Sequence, residues 1–277
     1  MTRAEMQIER IITENCGMDY SVYDDAFIKQ SVHNRMTELS LGCLEDYLVI
    51  LQENQDEKSV LSKSLSNVYS EFFRNPLVFS ILDQIVFPML LRRAEKDNRN
   101  EIRIWSAGCA GGQEPYSLAM LLAGYLIFEN KQFRIKIFAT DRSENEIKNA
   151  LTGKYSQSYI SKVPYEKVSN YFLRSGDDVQ VSDKIKRMVD FSVYDLLDTA
   201  YNTPPESIYG GFDLVMCCNV LLYYKKNVQI DILKKLTKSM NSYSFLVTGE
   251  SEAALVEKYA GLSKITDYAP VYLRGRS

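Results

Sequence analysis

Apolar positions fall into two patterns along the chain. Over the first sixty residues they recur every three or four: Met6, Ile8, Ile11 and Ile12; Phe27, Ile28, Val32, Met36 and Leu39; Leu44, Tyr47, Leu48 and Leu51. That period puts each group on one face of a helix. Gly17, Gly42 and the polar stretch 52–59 separate the groups. From about residue 100 the pattern shortens. Runs at 102–109, 189–195, 212–219, 242–249 and 270–274, and the alternating segment 134–141, predict strands. Between them 115–128, 143–152 and 227–240 carry helical periodicity, and Ser143 with Glu146 three residues on predicts a capping box. Strands alternating with helices predict an α/β fold, a mostly parallel sheet with helices on both faces. Gly176-Asp177-Asp178 and the alternation of Val179-Gln180-Val181 interrupt this rhythm and predict a small β insertion near 171–192. The expected organisation is a helical domain over 1–58, a linker over 59–70 and an α/β domain over 71–277.

Composition narrows the class. The 277 residues are 45% hydrophobic and 25% charged, as in an ordinary globular chain. No apolar run approaches the roughly 18 residues of a membrane span. The first twelve residues carry Glu5 and Glu9 and lack the apolar centre of a secretory signal. Five cysteines without a C-x-x-C pair suit a reducing, cytoplasmic setting and no zinc site. The single histidine, His33, is expected on a helix surface and excludes a His-rich metal site.

Charge is uneven. Residues 1–60 hold five Lys/Arg against twelve Asp/Glu, a local net of -7, within an overall -3. An acidic first fifth repels polyanions, and no basic stripe suggests nucleic acid.

The chemistry concentrates after the first strand, where residues 105–117 read W-S-A-G-C-A-G-G-Q-E-P-Y-S. Gly108, Gly111 and Gly112 lie at a strand-to-helix turn, where glycine lets backbone approach a ligand closely. A dinucleotide site wants G-x-G-x-x-G and a helix N-terminus open to phosphate. Here the spacing is G-x-x-G-G, and Glu114 at the helix start repels phosphate while suiting an ammonium group. That favours S-adenosylmethionine over NAD, and so argues against an NAD-linked dehydrogenase. A plain Gly-rich turn with a capping Glu is the alternative on this loop alone. Asp141, Asp195 and Asn219 each close a strand, placing polar groups where such sheets bind ligands.

Together these motifs resemble the CheR-type chemotaxis receptor methyltransferases. They are E-F-F-R-N-P at 71–76, the Gly-rich loop, F-A-T-D at 138–141, F-D-L-V-M-C-C-N-V-L-L-Y-Y at 212–224 and G-E-S-E at 249–252. The resemblance covers nearly the whole chain and is strongest from 70 to 252. It implies a Rossmann-like S-adenosylmethionine methyltransferase domain with a small inserted β subdomain, behind a small all-helical N-terminal domain. It implies methylation of glutamate side chains on a protein, a chemoreceptor or similar signalling protein, with S-adenosylhomocysteine as product. By resemblance, Arg74 sits over the methyl-transfer site and Ser70, Gly108 and Glu114 touch the cofactor. Asp141 holds the ribose, Asp195-Leu196 and Asn219-Val220 frame the adenine and methionyl portions, and Tyr223 stands beside the methyl. A glutamate carboxylate is already ionised at neutral pH, so attack on a sulfonium methyl needs positioning rather than a base.

The sequence departs from the family at four places. Val68 replaces an Asn, Asp195 replaces an Asn, and Cys218 replaces an Arg. The fourth is the stretch around Lys29 to Arg35, which corresponds to the family's basic receptor-docking helix but lies in an acidic domain. The insertion is short, so recognition of a receptor's C-terminal tether is not expected. The chain is expected to act as a monomer, without nucleic acid or membrane insertion. The departures keep open a second reading, a regulatory module that binds S-adenosylmethionine or S-adenosylhomocysteine without methylating.

Overall fold

The computed structural model describes residues 2–16, 19–65, 69–129, 132–208 and 211–276. Two compact units divide the chain: Met1–Val68 with Leu222–Gln229, and Tyr69–Leu221 with Ile230–Ser277. Gly17 and the substituted Val68 lie outside the described residues.

The first unit is helical: α1 (Arg3–Cys16), α2 (Asp25–Glu38), α3 (Leu44–Glu53) and α4 (Gln55–Leu65). Asp24 caps α2 by accepting from the amides of Ala26 and Phe27. Ile8, Ile12, Ile28, Val32, Leu48 and Leu51 are buried as their spacing predicts. The expected linker from 59 is instead the second half of α4. Only Asn54 separates α3 from α4, and its side chain accepts from the amides of Asp56 and Glu57. Leu61 and Leu65 are buried, and so is Glu57, which accepts from Arg35 Nε (2.9 Å), Arg35 Nη2 (2.7 Å) and Tyr47 Oη (3.0 Å). A buried acid that looks polar in sequence therefore faces the core, and the run only appears to lack an apolar face. Residues 222–229 complete this unit: Tyr224 stacks on Tyr23 at 5.2 Å, and the Lys225 amide donates to the Val22 carbonyl.

The second unit opens with α5 (Pro76–Ile81), a π-helical turn (Leu82–Val86) and α6 (Phe87–Lys96). It continues β1 (Glu101–Ala107), α7 (Gln113–Phe128), β2 (Arg134–Asp141), α8 (Glu144–Thr152), β3 (Lys154–Ser156), α9 (Tyr165–Tyr171), β4 (Phe172–Ser175) and β5 (Asp178–Val181). Then come α10 (Asp183–Lys186), β6 (Val189–Val193), β7 (Phe212–Cys217), α11 (Lys226–Ser239, of which the part from Ile230 belongs to this unit), β8 (Met240–Thr248), α12 (Ala253–Tyr259), β9 (Ser263–Lys264) and β10 (Val271–Leu273). The large sheet has the order β6-β2-β1-β7-β8-β10-β9. β6, β2, β1, β7 and β8 run parallel, and β10 and β9 pair antiparallel at one edge. The reversal of strand order at β1 opens a crevice at the carboxyl ends, where α/β sheets bind ligands. α7 is apolar almost all round and buried from Pro115 to Ala123 along its length.

The β insertion is real but shifted. Its sheet has the order β3-β5-β4, so it begins at Lys154, before 171. Val189–Val193, the tail of the expected insertion, is β6 and pairs parallel with β2 in the main sheet. The β4–β5 hairpin turns at Gly176 and Asp177.

Candidate functional site

The crevice is built from five chain turns. After β1 the chain turns sharply, with positive φ at Gly108 (74°), Ala110 (53°) and Gly112 (89°). The glycines are demanded by this chain's own packing. A Cβ on Gly108 would lie 2.4 Å from Val220 Cγ2, and one on Gly112 would lie 2.9 Å from Ala150 Cβ. The Gly108 and Cys109 amides donate to the Thr140 carbonyl, and the Ala110 amide donates to Asp141 Oδ2 at 2.9 Å.

Asp141 closes β2 and is buried. Its Oδ1 accepts from the Ser143 amide at 2.9 Å, which leaves Ser143 to cap α8 by accepting from Glu146 N at 3.3 Å. Burial pushes the Asp141 carboxyl up, and the backbone donors pull against that. Each oxygen keeps further lone-pair capacity, as a ribose diol requires.

Glu114, in the first turn of α7, accepts from Ser106 Oγ at 2.7 Å, and the neighbouring Cys218 thiol donates to the Val247 carbonyl at 3.9 Å. Its carboxyl is pushed up to about 7, first by desolvation and further by the charge of Glu252; Ser106, Cys218 and the more distant Arg74 oppose this. Cys218 stands half-buried against this acid, its own thiol raised by burial and by Glu114.

Beyond β7, Asn219 has φ 60°. Glu252, from the turn after β8, accepts from the amides of Asn219 (3.1 Å), Leu221 (2.7 Å) and Gly249 (2.7 Å). In sequence it is one letter of the G-E-S-E motif; its proximity to Asn219 arises from pairing between β7 and β8, which local spacing does not encode. Asp195 lies two residues past β6, exposed, accepting from the Leu197 amide, while Leu196 is buried.

The arginine turn lies in the same unit. Phe73 and Asn75 flank Arg74 with positive φ of 53° and 60°. The Phe73 amide donates to Ser117 Oγ on α7 (2.9 Å), and Asn75 Nδ2 donates to Glu250 Oε1 (3.2 Å). Arg74 Nη1 donates to the Tyr69 carbonyl at 3.0 Å, with the guanidinium 5.2 Å from the Tyr69 ring centre. Ser70 is half-buried on the segment leading in. Tyr223 belongs to the first unit, half-buried with its ring 4.8 Å from Phe27. In that unit the two cations of the 29–35 stretch are engaged: Lys29 with Glu5 at 3.2 Å, and Arg35 with Glu57 and Glu38. His33 is exposed on α2, as expected.

The donor set suits a ligand with a cation at one end and a diol at the other. Glu114 offers a carboxylate to an ammonium, and Asp141 offers free acceptor capacity at the next strand end. The fold and this crevice define a doubly wound α/β domain of the nucleoside-binding kind. The family profile described as CheR methyltransferase, SAM binding domain matches residues 68–268. The chain belongs to that family. Among curated proteins it is 27% identical over 256 residues to the chemotaxis protein methyltransferase of Borreliella burgdorferi, covering 91% of this chain and 89% of that one. It is 26% identical over 259 residues to the protein of the same name from Listeria monocytogenes, with 94% and 93% covered. The Salmonella typhimurium protein of that name is 28% identical over 252 residues, with 89% and 82% covered. Among the described residues no helix is long and apolar enough to cross a membrane.

Proposed function

We propose that this protein transfers the methyl group of S-adenosylmethionine to glutamate side-chain carboxylates of a chemotaxis signalling protein, a chemoreceptor cytoplasmic domain. One observation carries the reading. Glu114, Asp141 and the Asn219–Leu221 turn meet at the carboxyl ends of the parallel strands, and the Arg74 turn is tied to that edge through Ser117 and Glu250.

Bound S-adenosylmethionine supplies an electrophilic methyl on a sulfonium. The substrate carboxylate forms the new O–CH3 bond as the S–CH3 bond breaks, and S-adenosylhomocysteine leaves neutral at sulfur. No proton moves, so the chain's task is to bind, orient and exclude water. Glu114 would hold the ammonium and Asp141 the diol. Ser70, Gly108, Asp195, Leu196, Asn219 and Val220 frame the rest. Arg74 orients the carboxylate through hydrogen bonds.

The engaged state of Lys29 and Arg35 supports docking that does not depend on an exposed basic helix. The two-residue turn of the β4–β5 hairpin supports engagement without a C-terminal tether. The reading as an inactive binding module is not favoured, because Arg74 and Tyr223 are both retained. The proposed substrate, a chemoreceptor cytoplasmic domain, places the protein's action in the cytoplasm.

Calorimetry with S-adenosylhomocysteine, with NAD as control, tests the cofactor. Transfer of labelled methyl to a purified chemoreceptor cytoplasmic domain tests the reaction. Arg74→Ala is expected to lower transfer at least a hundredfold with an unchanged melting temperature; full activity would remove Arg74 from the mechanism.

A further inference from the structure

One buried hydroxyl joins the β insertion to the crevice. In β3 the burial alternates exposed, buried, exposed, so that Tyr155 alone points inward. Its hydroxyl donates to the carbonyl of Gly111 at 2.7 Å. Burial raises its pKa far above the ordinary phenol range, so the hydroxyl keeps its proton and remains a donor. The loop is otherwise tied by backbone amides, those of Gly108 and Cys109 to Thr140, that of Ala110 to Asp141 and that of Gly112 to Cys109, and by the Cys109 thiol, which donates to the Ala110 carbonyl at 3.7 Å. Tyr155 is thus the side chain that takes up the Gly111 carbonyl within a loop of left-handed residues.

The same ring reaches the arginine turn. Phe72, two residues before Arg74, is buried and packs edge-on against Tyr155 at 4.9 Å and against Phe172 of β4 at 5.2 Å. The inserted sheet therefore touches both the cofactor loop and the segment carrying the arginine.

We propose that Tyr155 is a positioning residue for methyl transfer, fixing the Gly111 peptide so that the 108–112 loop is formed before the cofactor binds. This rests on the reading of the crevice as an S-adenosylmethionine site. Without the hydroxyl, a buried carbonyl loses its donor and the loop must be ordered at the expense of binding.

Tyr116 supplies a matched control. It is buried in the same aromatic cluster, 6.5 Å from Tyr155, and its hydroxyl donates to the Ala150 carbonyl at 2.9 Å. Tyr155→Phe and Tyr116→Phe each remove one buried hydroxyl-to-carbonyl bond and keep the ring. Both are expected to lower the melting temperature by similar amounts. Only Tyr155→Phe is expected to weaken S-adenosylhomocysteine binding, by about tenfold, which is ~1.4 kcal/mol. Equal affinity in Tyr155→Phe and the parent, or equal weakening in both variants, would overturn the proposal. Amide hydrogen exchange over 108–112 without ligand gives a second readout. Faster exchange in Tyr155→Phe than in Tyr116→Phe supports the proposal, and matching rates overturn it. If the parent protein itself binds no S-adenosylhomocysteine, the cofactor reading fails, and the exchange rates still decide the role of Tyr155.

Discussion

Two carboxylates line the same crevice and live differently. At the β7–β8 side, Glu252 is 3% exposed and takes three backbone amides, from Asn219, Leu221 and Gly249. On the α7 side, Glu114 accepts from one serine hydroxyl among the described residues, and its carboxyl is raised to about 7. Glu252 is committed to shape, since every donor it satisfies belongs to the chain. Glu114 is left undersatisfied, so its charge remains available to a ligand. The contrast separates a group that builds a binding turn from one that waits to be completed.

The largest effect expected is on the structural side. Glu252→Ala orphans two buried amides and one part-buried amide, at roughly 1–3 kcal/mol each, and should cost about 4 kcal/mol of stability. Differential scanning calorimetry should show a melting temperature lower by roughly 10 °C. A normal melting temperature would erase the distinction between the two acids. Next is Glu114→Gln, which should weaken S-adenosylhomocysteine binding roughly 10–100-fold, the worth of a charge-assisted hydrogen bond, without loss of fold. A stability loss matching that of Glu252→Ala would make Glu114 structural too.

The pH dependence is smaller and has a definite sign. With a carboxyl near 7, the free protein is mostly protonated at Glu114 at pH 6 and mostly ionised at pH 8. Binding of the ammonium should therefore strengthen about tenfold between those values, with proton release on the acid side. Glu114→Gln should show no such rise. Stability runs the other way. The folded chain holds this proton while the unfolded chain has lost it, so stability falls as pH rises from about 4.5 through 7. Denaturant titrations at both ends of that window check the sign. The smallest change comes from Cys218→Arg. A cation against Glu114 should move the midpoint of the binding curve down by about one pH unit or more. An unmoved midpoint would mean that Cys218 does not face the acid in solution.

How much of this could be read from the residues depended on range. Asp141, Glu114 and Asn219 were legible because parallel strands put their carboxyl ends along one edge. A polar residue closing an apolar run then lands in the crevice whatever the details of packing. Glu252 was not legible as a support, since its partners come from β7. The second half of α4, expected as linker from 59, has no legible apolar stripe, because the helix's other buried anchor, Glu57, is an acid paired with Arg35 from 22 residues away. The helical stretch from Pro76 to Lys96 went unassigned because Leu77 to Phe87 is nearly continuous apolar sequence. Two prolines and a π-helical turn break its period. β3 is three residues long, too short for alternation to register, and so the insertion was placed too late.

The segment Leu222–Gln229 carries a consequence for how the protein is made. The first 68 residues leave the ribosome early, yet the ring that stacks on Tyr23 and the amide that bonds Val22 belong to Tyr224 and Lys225. The helical unit is therefore unfinished until about four-fifths of the chain has been synthesised. During that interval the Tyr23 face is exposed to whatever the nascent chain meets. A fragment of residues 1–68 alone would carry that gap permanently, so this helical unit starts early in the chain and is completed late.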